Sequence, residues 1–442
     1  MTGATTTPPN PSGDRVERVD RSDIAIGVII GRTSEFFDFF VFAIASVLVF
    51  PRFVFSFAAP AQGVLYGFAI LALGFMARPA GTIVFTEIGR RYGQGAKLTT
   101  ALFLLGLSTV AISFLPSFER EGWLTVASLC LFRMGQGAAL GGAWDGMSSL
   151  LALYAPEGQK GRYATLPQIG APIGLILACG LFIYLRSSLS EAEFLSFGWR
   201  YPFFVAFAIN VVALFARLRL VVSEDFKALF SESALQARPV LETIRDEWLN
   251  IIIGAFTPLA TLALFHMVTV FPLGWIYLQS PQDITAFLAI EIIGALFGLG
   301  TLIASGFIAD QIGRRTLLTY CAAGIALYAI VSPMILSLGR SGEALYVIIG
   351  FSLLGLSFGQ SSGAVASGFA PKNRYTASNL TADLSWMFGA GFAPFVALYL
   401  TEHLGLWSAG AYLLSGAVCT LISLTVFRRR QDERRSKDSS WR

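Results

Sequence analysis

The sequence predicts an all-α integral membrane protein with twelve transmembrane helices in two six-helix bundles, and three observations carry that prediction. Of 442 residues, 55% are hydrophobic, 38 are phenylalanine and only 14% are charged, too little polar surface to cover a soluble fold. Apolar runs of about 20 residues, the length that crosses a bilayer core, recur along the chain. Lysine and arginine cluster between alternate runs. Of the 32, 24 fall on one side of the implied membrane and 5 on the other (Arg52, Arg120, Arg186, Arg200 and Arg340), which by the positive-inside rule places both termini in the cytoplasm. The remaining three, Arg32, Arg78 and Arg133, lie in or at the edge of the spans.

Taken in order, residues 1–22 are polar, rich in proline and threonine, and lack the apolar core of a secretory signal, so they read as a disordered cytoplasmic tail. Spans follow near 24–50, 61–86, 98–115, 124–153, 163–186 and 201–220, forming an N-terminal bundle over residues 23–220. Residues 221–248 are charged and amphipathic, suited to the membrane surface as a cytoplasmic central loop. Spans near 249–278, 284–308, 316–338, 344–369, 376–401 and 406–427 make the C-terminal bundle over 249–427, and 428–442 is a basic cytoplasmic tail.

Charge inside an apolar span is costly and marks either a pathway or a structural pair. On the first span, Arg32, Glu35 and Asp38 are spaced i, i+3, i+6, so successive side chains can touch and share charge as a ladder. Glu35 and Asp38 are candidate proton carriers; the alternative is a static ion triad pinning the first helix to its neighbours. On the fourth span, positions 133, 136, 137, 140 and 144 share one helical face. Arg133, Gln136, Gly137, Leu140 and Trp144 there form a stripe of cation, amide, aromatic and small residues that reads as a cavity wall, with Asp145 at its border. Asp383, on one face with Trp386 in the eleventh span, either meets a first-half arginine as a gate or pairs with Lys372 or Arg374. Glu291 and His266 are lone titratable groups that read as packing residues.

Two loops repeat each other. GTIVFTEIGRRYGQGAK from Gly81 and GFIADQIGRRTLL from Gly306 share a Gly-Arg-Arg run, an internal duplication signal expected of a carrier built from two related bundles around a midplane site. Gly306, Asp310, Gly313, Arg314 and Arg315 resemble the signature loop of the major facilitator superfamily. That resemblance implies the major facilitator fold and a conformational latch on this face, built from Asp310, Arg314 and Arg315 with Arg91 of the first loop. The first copy departs from the pattern: Arg90 stands where the family has aspartate, and Gln94 and Gly95 replace basic residues.

A narrower resemblance covers most of the first half. Glu35-Phe36-Phe37-Asp38-Phe39, Arg78-Pro79, Arg133-x-x-Gln136-Gly137 with Gly141-Gly142-x-Trp144, Pro167-Gln168-x-Gly170-x-Pro172-x-Gly174 and Gly198-Trp199-Arg200-x-Pro202-Phe203 are similar to the metabolite:proton symporter family, as is Arg374-Tyr375-Thr376 in the second half. The resemblance implies proton-coupled uptake, across a bacterial inner membrane, of small organic acids such as dicarboxylates, citrate or shikimate, or of zwitterions such as proline and betaine. This chain carries Ala143 where the family has glutamate after the paired glycines, and acidity reappears at Asp145.

The expected substrate-binding residues are therefore Arg133, Gln136, Trp144, Gln168 and Arg32, and the proton-coupling residues Glu35, Asp38, Asp145 and Asp383. No cofactor or metal is expected. Cys130, Cys179, Cys321 and Cys419 form no CxxC pair, and His266 and His403 are the only histidines. The chain has no Walker loop, HExxH or Gly-x-Ser-x-Gly motif, which excludes an enzyme. The expected partners are a carboxylate-bearing small molecule, protons and the lipid bilayer, with no nucleic acid, for a monomeric carrier. Proton-driven efflux of a toxic small molecule and a transporter-like metabolite sensor are the alternatives.

Overall fold

The structure, a computed structural model, describes residues 21–143, 155–221, 236–279, 284–366 and 369–439, and every regular element among them is helical. Helix α1 (Arg21–Leu48) is the first crossing. Helix α2 (Pro60–Ser113) has 54 residues, about 80 Å at 1.5 Å per residue, enough to cross a core of about 30 Å twice. It turns back at Gly93 (φ 89°, ψ 164°), a backbone conformation that only glycine adopts without strain. Helix α3 (Trp123–Gly142) follows. A short α4 (Lys160–Thr165) then passes through one 3-10 turn into α5 (Gly170–Ser188), and α6 (Tyr201–Val221) ends the first half.

The second half repeats this plan with more interruptions. Its first crossing is assembled from α7 (Val240–Phe256), α8 (Leu259–Thr269) and α9 (Phe271–Gln279), broken at Pro258 and Val270. Helices α10 (Ile284–Ile312), α11 (Arg314–Leu336) and α12 (Arg340–Ala366) are continuous. The eleventh crossing joins α13 (Arg374–Ser385) to α14 (Ala393–Leu404) through a π-helical turn, Trp386–Gly391. Helix α15 (Trp407–Ser439) extends through most of the basic stretch read from the sequence as a tail. Nine helices among the described residues are long and apolar enough to cross a membrane. Counting the second crossing of α2, and adding α1 and α3, which carry the intramembrane charges, gives twelve.

The glycine breaks correct the register of the internal repeat. Gly93 and Gly313 (φ 84°) hold the same turn, so Arg90 is the counterpart of Asp310. The two Gly-Arg-Arg runs, Gly89–Arg91 and Gly313–Arg315, lie four residues out of structural register. The shared Gly-Arg-Arg run by itself would set Gly89 against Gly313; the signature-loop resemblance, which puts Arg90 at the aspartate position, sets Gly93 there, and the turn agrees with it.

Within each half the helices approach closely where side chains are absent, as expected of membrane bundles. A Cβ on Gly137 would strike the Gly74 carbonyl, one on Gly141 the Arg78 carbonyl, and one on Gly355 the Gly298 carbonyl. Between halves, Gly161 of α4 packs on Gly306 of α10 at the loop face, and Gly274 of α9 packs on Phe68 of α2 at the opposite end. The halves are thus in contact at both ends. On the loop face, Asp246 of α7 lies 3.3 Å from Lys372. Its carboxyl is held below the usual carboxylate range by a hydrogen bond from Asn373 and by Lys372.

Candidate functional site

Between the halves, Arg32, Glu35, Phe36 and Phe39 of α1, Phe75 and Arg78 of α2, Arg133 and Leu140 of α3, and Trp386 after α13 line a small cavity of about 30 Å³. The cavity-wall reading of the fourth span is therefore met by Arg133, Gly137 and Leu140. Gln136 points elsewhere, and Trp144 and Asp145 lie outside the described residues.

The charges of α1 divide into two unlike sites. Glu35 is held by two guanidinium groups, Arg32 Nη1 at 2.6 Å and Arg217 Nη2 of α6 at 2.7 Å. Arg217 is 3% exposed and occupies the space left by Gly31, where a Cβ would collide with its guanidinium. Asp38 does not join this ladder. Six residues beyond Arg32 it has rotated about 240° round the helix from that residue, and it meets α2 and α3 instead. Thr109 Oγ1 donates to it at 2.8 Å, and Gln136 Nε2 at 3.3 Å.

Gln136 links that acid to the buried arginine. Arg133 Nη1 donates to Gln136 Oε1 at 3.0 Å while Gln136 Nε2 donates to Asp38. Arg133 itself forms no ion pair among the described residues; its guanidinium lies 4.2 Å from the centroid of Phe42 and 5.8 Å from that of Phe39. A desolvated cation over ring faces gains about 2 kcal/mol from the quadrupoles, well short of what a carboxylate would supply at the same place.

Asp383 answers the question the sequence left open. It pairs with Arg78 Nε of the other half at 3.2 Å and accepts from the Thr82 hydroxyl, whereas Lys372 pairs with Asp246. Arg78 also lies 5.9 Å from the Trp386 ring. His266 Nδ1 sits 2.6 Å from the Ala390 carbonyl, and its ring is stacked parallel to Phe39 at 5.2 Å. Gln168 is buried in the 3-10 turn just before Gly170, whose backbone packs on that of Arg32.

On the loop face, Asp310 accepts from the Gly161 amide at 2.5 Å and from Arg162 Nε at 2.9 Å, both in α4 of the opposite half. Arg314 donates to the Lys160 carbonyl. Arg315 sits half-buried in the first turn of α11. Arg91 is not part of this contact: with Arg90 it pairs to Glu87 on its own helix. That carboxyl lies below the usual range through the Arg91 hydrogen bond and the Arg90 charge. This contact thus joins Asp310 and Arg314 to residues 160–162, whereas the first loop reaches the second half through Lys97 at its end, which donates to the Tyr375 hydroxyl of α13 at 3.2 Å.

Sequence reading missed Arg217, Arg162, Thr109 and Thr82. Arg217 lies three residues from Leu220 at the end of its span, where a cytoplasmic cation is ordinary; only the crossing of α6 over Gly31 shows that it turns inward. Thr109 and Thr82 look like ordinary span residues until α1 and α13 place acids against them.

Comparison with known proteins agrees with this architecture. Residues 123–382 match the model of the Major Facilitator Superfamily. A putative metabolite transport protein of Haemophilus influenzae is 33% identical over 91% of this chain and 92% of its own length. The inner membrane metabolite transport protein YhjE of Escherichia coli is 33% identical over 91% of this chain and 93% of its own. The shikimate transporter of Escherichia coli is 28% identical, covering 93% and 94%. Among solved structures, a D-xylose-proton symporter superposes with a TM-score of 0.71 over 92% of this chain and 97% of that one; at 16% identity it speaks for the fold alone. The helical architecture, the matched family model and the full-length relatives lead to one conclusion: this chain is a membrane transporter, not an enzyme, and belongs to the Major Facilitator Superfamily.

Proposed function

We propose that the protein carries a small carboxylate-bearing metabolite into the cell together with a proton, by alternating access around the cavity between its halves. The observation that carries this reading is the Asp38–Gln136–Arg133 relay. Asp38 is 3% exposed and hydrogen-bonded, yet no cation stands within ion-pairing distance of it among the described residues. One amide away, Arg133 lines the cavity with no acid partner among the described residues. A substrate carboxylate at Arg133 pulls on Gln136, and Gln136 is the donor that solvates Asp38, so substrate and proton occupancy are linked through one side chain.

Glu35 serves a different purpose in this scheme. Two arginines already neutralise it, so Asp38 is the carrier of the moving proton. The Arg78–Asp383 pair, which crosses between halves beside the cavity, acts as the gate that substrate entry loosens. Relatives whose names include a shikimate transporter and a glycine betaine/proline/ectoine/pipecolic acid transporter support a carboxylate-bearing substrate. The arginine and lysine distribution supports a cytoplasmic location of both termini, and a relative named an inner membrane metabolite transport protein supports an inner-membrane location. The test is Asp38→Asn in proteoliposomes: accumulation driven by an imposed pH gradient is lost, while exchange of labelled for unlabelled substrate, which moves no net proton, persists. Accumulation at the wild-type level would refute the assignment.

A further inference from the structure

The seam between α5 and α10 joins the two halves along their length, and it holds one acid that the transport scheme above does not use. Glu291 of α10 is fully buried. Its Oε2 lies 3.5 Å from the Cys179 thiol of α5, and its Oε1 has no partner among the described residues. Cys179 is likewise fully buried. A thiol is a weak donor, and burying a bare carboxylate with no cation and an empty acceptor is prohibitive.

Among the described residues, no neighbouring element supplies the missing charge. Beyond Cys179, the only other titratable side chains of α5 are Tyr184 and Arg186; Arg186 lies two turns further on, over the Phe194 ring. From α12, Val347 and Phe351 pack on Gly294, one turn from Glu291. The Tyr346 hydroxyl of that helix donates to the Met267 carbonyl, and Glu343, near its start, is another acid. Tyr277 is the titratable residue of α9. The acids of α1 face away, Asp38 toward α2 and α3 and Glu35 toward α6.

Position gives this arrangement meaning. Nineteen residues, about 28 Å of helix, separate Glu291 from the Asp310 latch on the same α10. One seam therefore carries a charge-based contact at the loop face and an acid–thiol contact toward the opposite end. We propose that Glu291 is a proton-binding site of the gate at that opposite end: the α5–α10 seam closes there only with a proton on the Glu291 carboxyl, and opening to water lets the proton leave. The inference rests on the alternating-access reading above, and it adds a second proton site, on the second half, to the one at Asp38.

The experiment places spin labels at Ser188 and Ser341, exposed positions on the two halves at that end, in protein reconstituted in lipid nanodiscs with Cys130 and Cys419 replaced by serine. Distances between them are measured between about pH 5 and 9. In the wild-type background the open-to-closed ratio rises with pH, with a limiting slope of about tenfold per pH unit for one proton. Glu291→Gln, which stays neutral, remains closed throughout, and Glu291→Leu does the same if the amide packs poorly. Asp38→Asn keeps the pH response, because its proton is not the one that closes this seam. A wild-type distance that ignores pH, or an unchanged response in both Glu291 variants, overturns the proposal. A response abolished by Asp38→Asn alone overturns it while leaving the Asp38 assignment standing. Wild-type accumulation by Asp38→Asn would instead defeat the earlier reading and not this one.

Discussion

Replacing Asp310 by asparagine tests how much of the conformational balance rests on a single carboxylate. In the closed loop face, Asp310 accepts from the Gly161 amide at 2.5 Å and from Arg162 at 2.9 Å. A hydrogen bond to a charged acceptor contributes about 1.5–3 kcal/mol. The Arg162 side chain is 40% exposed, so solvent screening limits that ion pair to about 0.2–1 kcal/mol. Asparagine keeps one acceptor oxygen, so the combined loss is about 2 kcal/mol. Because these contacts exist only when this face is closed, the whole difference goes into the state equilibrium, about a 30-fold shift toward the form open at the loop face. Paired measurements decide it: transport rate in proteoliposomes, substrate affinity by equilibrium binding, and accessibility of single cysteines on either face. The expected result is a strong fall in rate with affinity of the accessible state within a few fold. Arg90→Ala should shift the balance less than twofold, since Arg90 pairs with Glu87 on its own helix. If Arg90→Ala proves as damaging as Asp310→Asn, the first loop holds a latch of its own and the reasoning fails.

Arg133→Gln should abolish uptake while the protein still reaches the membrane, and Arg133→Lys should recover little of it, because ammonium lacks the planar fork that matches a carboxylate; uptake near the wild-type rate in the lysine variant would refute bidentate recognition. Glu35→Gln strands Arg32 and Arg217 against each other in a buried site, and breaking such a pair costs about 3–5 kcal/mol. Its thermal unfolding temperature should fall clearly, and Glu35→Gln combined with Arg217→Gln should recover at least half the loss. A double variant less stable than the single one would show that Arg217 is anchored by something other than Glu35.

The class, the number of crossings and the division into halves were legible in the chain because hydrophobic thickness and the asymmetry of arginine and lysine act on local sequence. A run of about 20 apolar residues needs no partner to declare itself. Intramembrane charge is similarly conspicuous, so Arg133, Glu35, Asp38 and Asp383 stood out before any contact was known. The resemblance to the superfamily's signature loop also picked out Asp310, which the structure places against Gly161 and Arg162.

Pairing was decided by the tertiary structure alone. Nothing local says that Arg217 belongs to Glu35, 182 positions away, or that Asp383 prefers Arg78 to the nearby Lys372. In the first loop the signature-loop resemblance, with Arg90 at the aspartate position, already sets Gly93 opposite Gly313, and the backbone reversal at Gly93 agrees with that register. Charges on one helix show spacing, but the side that buries them depends on which helices cross, and that is set by glycine contacts between segments far apart in the chain. Arg32, Glu35 and Asp38 look like one ladder in sequence. They become two sites because α6 covers one side of α1 and α2 and α3 cover another.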